Sequence, residues 1–66
     1  MQYEISKSGP QGNAFFIMGQ TSRILRAMGK TKEEIETIMD DMKSSNYTHL
    51  CEVAERESLG MITFVD

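Results

Sequence analysis

The sequence predicts a small α+β fold with the element order β-α-α-α-β, and three observations predict it. Apolar residues alternate near the N-terminus, recur at helical spacing through the middle, and gather in a β-rich run near the C-terminus. With 66 residues there is room for one hydrophobic core, so residues 1–66 are read as a single domain.

Tyr3 and Ile5 alternate with Gln2, Glu4 and Ser6, the period of a half-buried strand. Residues 6–12 hold the only proline and two of the five glycines, and read as a loop. Asn13 stands where a helix N-cap belongs. From there Ala14, Ile17, Met18, Thr21, Ile24, Leu25 and Met28 form one apolar stripe. Gly29 is placed to close this first helix in the left-handed conformation, with Arg23, Arg26 and Lys30 toward its negative end.

Thr31-Lys32-Glu33-Glu34 is a capping box opening a second helix. Ile35, Ile38, Met39 and Met42 share its inner face, while Glu33, Glu36, Asp40 and Lys43 lie outside. After the break at 44–46, a third helix over about 47–57 turns Tyr47, Leu50, Cys51 and Ala54 inward, with Val53 beside them. Gly60 ends that region, and 61–65 reads as the closing strand. The terminal strands are expected to pair with each other, with the helices on one face. Periodicity leaves open whether they run parallel or antiparallel. The expected core is Tyr3, Ile5, Ile17, Met18, Ile24, Leu25, Met28, Ile35, Ile38, Met42, Leu50, Ala54, Ile62 and Phe64.

Composition narrows the function. A chain this short buries only about 60% of its unfolded surface, so natural proteins of this size usually recruit a staple. Cys51 is the only cysteine, which rules out an internal disulfide and suits a reducing, cytoplasmic setting. One Cys and one His (Cys51 and His49) do not make a structural zinc site, and no cofactor is expected. That leaves a second subunit or an unusually good small core, and a homodimer is expected. The longest apolar run, 14–18, is far short of a membrane span, and the N-terminus has no secretory signal pattern.

The net charge of −3 is unevenly distributed. Residues 1–32 carry five cations against Glu4 alone, a net of +4, and residues 33–66 carry nine acids against Lys43 and Arg56, a net of −7. The acidic half disfavours nucleic acid, and a two-signed surface suits a protein partner.

Two candidate binding regions emerge. Lys7, Gly9, Gly12 and Asn13 form a glycine-bearing loop ahead of a helix N-terminus, an arrangement that can seat an anion. The loop matches neither the P-loop nor the dinucleotide pattern, and a turn with a cap explains it as well. The second region is on the first helix. Phe15 and Phe16 flank the apolar stripe on nearly opposite sides, so one layer cannot bury both rings. Either the sheet covers one and the third helix the other, or the flank running from Phe15 to Gly19 is an interface. Arg23 and Arg26 face away from the stripe and are candidate partner contacts. The five internal methionines fit a core role better than an adaptable binding surface. His49 and Cys51 point about 200° apart on one helix and do not form a catalytic dyad. The carboxylates of the second helix have no facing cluster that would make an acid–base or metal site. No catalytic residues are assigned, and the chain is read as non-enzymatic.

The run Gly12-Asn13-Ala14-Phe15-Phe16-Ile17-Met18-Gly19, with 23–29, the Lys-Glu-Glu-Ile start of the second helix and Ser-x-x-Tyr-x-His-Leu at 44–50, resembles a group of short, mostly uncharacterised proteins from tailed phages and prophages. The similarity spans about residues 9–54. Proteins of this size and source include antagonists of bacterial defence systems, and the Hachiman anti-defence protein is the first comparison. The resemblance implies a small phage-encoded interaction protein, acting in the host cytoplasm by binding a host protein. The alternative function is a sponge for an anionic small molecule or signalling nucleotide at the 9–13 loop.

Overall fold

A computed structural model describes residues 2–65; Met1 and Asp66, the ends of the expected 1–66 domain, lie outside it. The chain runs β1 (Tyr3–Ser6), a 3₁₀ turn (Pro10–Gly12), α1 (Ala14–Ala27), α2 (Lys32–Lys43), α3 (Tyr47–Glu57) and β2 (Ile62–Val65). The expected β-α-α-α-β order of a small α+β domain is present.

The helices start where their caps dictate. Asn13 accepts hydrogen bonds from the Phe15 and Phe16 amides, and Asn46 from that of His49. At α2 the capping box is complete: Thr31 Oγ1 accepts from the Glu34 amide at 3.1 Å, and Glu34 Oε1 accepts from the Thr31 amide at 2.8 Å. That backbone bond holds the Glu34 carboxyl below its ordinary pKa, with the Thr31 hydroxyl and Lys30 helping against partial desolvation.

β1 and β2 pair in parallel, with Tyr3 opposite Ile62 and Ile5 opposite Phe64. This settles the direction that periodicity left open. Three helices separate the two strands, so the crossover has ample length to bring β2 beside β1 in the same direction. Tyr3, Ile5, Ile62 and Phe64 belong to the core cluster or pack on it. The strand opens at Ile62 rather than at Met61, because Leu59 and Gly60 are both left-handed and Met61 completes the turn.

The buried core is Ile5, Ile17, Ile24, Leu25, Ile35, Met42, Leu50, Cys51, Val53, Ala54 and Ile62. Five expected core residues, Tyr3, Met18, Met28, Ile38 and Phe64, are half-buried and pack on its edge. Three short helices and a two-stranded sheet cannot enclose every residue of each stripe. Val53 was expected only beside the inner face but is fully buried, because α3 packs against α1, α2 and β2. Tyr47, expected inward, is 37% exposed and donates its hydroxyl hydrogen to the Gly12 carbonyl. Buried Ser58 joins α3 to the sheet: its Oγ donates to the Glu55 carbonyl and accepts from the Ile62 amide.

Candidate functional site

The stripe of α1 points inward and leaves an outer face with its own composition. Ile17, Thr21, Ile24 and Leu25 are buried. On the opposite side Phe15 is 84% exposed and Phe16 36% exposed. Of the two readings of this pair, full coverage by sheet and third helix is not what the fold provides. The expectation that the two rings take nearly opposite flanks is corrected: neighbouring helical positions lie about 100° apart, and both rings border one depression.

Between the rings stands Gly19, with nothing within 4 Å of the place a Cβ would occupy. No backbone within the chain uses the close approach that glycine allows. Phe15, Phe16, Gly19, Gln20 and Arg23 therefore line a shallow slot of about 290 Å³, with glycine as its floor, aromatic walls and one guanidinium at the end. Four of the five residues expected to contact a partner, Phe15, Phe16, Gly19 and Arg23, come together here. Arg26 does not. It lines a separate groove with Ser22, Lys30, Lys32 and Ile35, between the end of α1 and the start of α2.

The loop ahead of α1 is built differently. A Cβ at Gly12 would overlap the Lys7 carbonyl, so this buried glycine is required for the loop to fold back on β1. The Gly9 amide donates to the Ser6 carbonyl, the Gly12 amide to Gly9, and the Asn13 amide to Pro10. Asn13 Oδ1 is occupied by the α1 cap. Lys7 sets its ammonium 5.9 Å from the centre of the Phe64 ring. The Gly9, Gly12 and Asn13 amides are thus engaged within the loop, and the Phe15 and Phe16 amides on the Asn13 cap.

Two features escaped the sequence reading. The first is a bridge between α2 and α3: His49 Nε2 lies 2.9 Å from Asp41 Oδ1, and Arg56 Nη2 donates to Asp41 Oδ2 at 3.2 Å. Arg56 Nε also reaches Glu57 Oε2 at 3.3 Å. Spacing along a single helix does not reveal this pairing, because Asp41 and its two partners sit on different helices. The His49 bond, chiefly, and Arg56 lower the Asp41 pKa against partial desolvation. The bridge is half-exposed and joins two helices. Cys51 lies apart, buried, and burial pushes its thiol pKa up, the direction opposite to nucleophile activation. Among the described residues no three His, Cys, Asp or Glu side chains converge to hold a metal, and no helix is long and apolar enough to cross a membrane.

The second is Leu59. It follows α3 with a φ of 58° and leaves its side chain 79% exposed. Glu52, Glu55, Arg56 and Gly60 line the depression beside it. The Ser-Leu-Gly ending signals that a helix stops, but not which of its residues is left-handed.

Comparison with protein-family models, curated proteins and solved structures finds no match.

Proposed function

We propose that this chain is a small, non-catalytic, phage-encoded protein-binding module. It antagonises a bacterial defence protein by direct contact in the host cytoplasm, through the outer face of α1. The observation that carries the reading is Phe15, 84% exposed beside the open floor at Gly19. An exposed phenylalanine forgoes roughly 2–3 kcal/mol of burial, a loss that a partner surface recovers. Aromatic rings with an adjacent arginine are the usual composition of a binding hot spot. The resemblance to short phage proteins supplies the defence antagonism. The same face is open to a second copy, the homodimer expected for a chain with only a two-stranded sheet. The sponge reading is less well supported, because Gly9, Gly12 and Asn13 already use their donors within the loop.

The test separates the two arginines. Arg23→Glu places a carboxylate at the end of the slot, whereas Arg26→Glu changes the neighbouring groove. In plaque assays on strains each carrying one defence system, Arg23→Glu abolishes protection of the phage and Arg26→Glu retains most of it. Equal protection by a folded Arg23→Glu variant removes the α1 face from the account.

A further inference from the structure

Two residues of this chain run against the backbone around them, and they complement each other in shape. Gly19 stands mid-helix on an exposed face, where alanine is the better helix former and no neighbour excludes a methyl group. Leu59 holds a left-handed conformation that suits glycine, and its side chain gains no burial in return. One leaves a gap on the surface, and the other presents a branched apolar knob. Local strain of this kind persists at contact sites, where something other than folding maintains it.

The charges match as well. Arg56, the only cation beside Leu59, is drawn off by Asp41 and Glu57, leaving Glu52 and Glu55 to make the rim acidic. The slot between Phe15 and Phe16 ends on exposed Arg23. We infer that Leu59 of one copy seats in the Phe15–Gly19–Phe16 slot of a second copy, with Glu52 and Glu55 against Arg23. The inference rests on the reading of the α1 outer face as a contact surface and names an occupant for it. The occupant is a second copy because both halves of the contact, opposite in shape and sign, are present on one chain.

A contact between two different patches either closes reciprocally in a pair or continues from copy to copy. One knob and a charged rim make a small interface, so assembly rises with concentration. A host protein that takes the slot competes with it.

Sedimentation equilibrium at rising concentrations into the millimolar range tests the idea with four samples: the parent, Gly19→Leu, Leu59→Gly and an equimolar mixture of the two variants. The parent's mean mass climbs above the 7.5 kDa of one chain. Gly19→Leu fills its own slot and Leu59→Gly removes the knob, so each stays at one chain. The mixture keeps one intact contact and reaches two chains but no more. Either substitution suits its local backbone, and circular dichroism checks the fold. If one variant fails to fold, Arg23→Glu alone and mixed with Glu55→Lys gives the same readout. A parent that stays at one chain, a Leu59→Gly variant that assembles like the parent, or a mixture that remains at one chain each overturns the inference. A monomeric parent whose Arg23→Glu variant still loses phage protection overturns the self-contact and leaves the α1 face standing.

Discussion

Helices α1 and α3 end in the same hydrogen-bond pattern but place different residues in it. After α1 the Gly29 amide donates to the Arg26 carbonyl and the Lys30 amide to Leu25. After α3 the Leu59 amide donates to Arg56 and the Gly60 amide to Glu55. Both are Schellman closures, and in both the first residue beyond the cap is left-handed. At α1 that residue is glycine, with φ 89°; at α3 it is leucine, with φ 58°. For an L side chain the left-handed conformation costs about 1–2 kcal/mol, so α1 closes at no penalty and α3 does not. The end of α1 therefore follows folding needs alone, and Leu59 at the end of α3 does not, a departure for which the proposed contact accounts.

A third glycine marks the other extreme of the comparison. Gly12→Ala drives a methyl into the Lys7 carbonyl and costs about 3 kcal/mol or more, read as a lower urea midpoint. A smaller loss would mean that the loop yields and that Gly12 is no more constrained than Gly19. Gly29→Leu transplants the α3 closure onto α1 and lowers stability by about 1–2 kcal/mol. If it is neutral, a left-handed leucine carries no cost in this motif, and Leu59 ceases to be an anomaly.

Removing a cap that obeys the local rules gives the next effect in size. Thr31→Ala costs about 1 kcal/mol, and an unchanged urea midpoint would show that the capping box does not hold α2. The smallest effect is with pH. Glu34 and Asp41 both have folded pKa values below their ordinary ones, so the stability they add is full above the unfolded carboxylate range, about 4, and is lost as pH falls through the folded values. The urea midpoint declines below about pH 4 in the parent, and less in Glu34→Gln or Asp41→Asn. Variants whose decline matches the parent's would detach both carboxylates from folding.

What was legible in the sequence follows the range of each interaction. Asn13, Thr31 and Gly29 act within four residues of themselves, and their roles were readable from spacing. The helical stripes gave most of the core, but half-burial at Met18, Ile38 and Phe64 depends on how much cover the other layers provide. Strand direction and the Asp41 bridge depend on how distant segments cross, which no local pattern encodes. Leu59 was missed because a one-residue shift in a helix end decides which residue takes the left-handed position. At the candidate site Phe15, Gly19 and Arg23 share a face that helical spacing indicates. Phe16 was set on the opposite flank and borders the same slot, whereas Arg26 was grouped with them and lines another groove.

The central claim is that Gly19 and Leu59 are kept for contact and against folding. The most direct measurement is the urea unfolding free energy of the double variant Gly19→Ala with Leu59→Gly. Better helix propensity at one site and a relieved backbone at the other predict a gain of about 2 kcal/mol with an unchanged denaturant slope. A free energy equal to or below the parent's would show that both residues serve the fold itself, and would contradict the account.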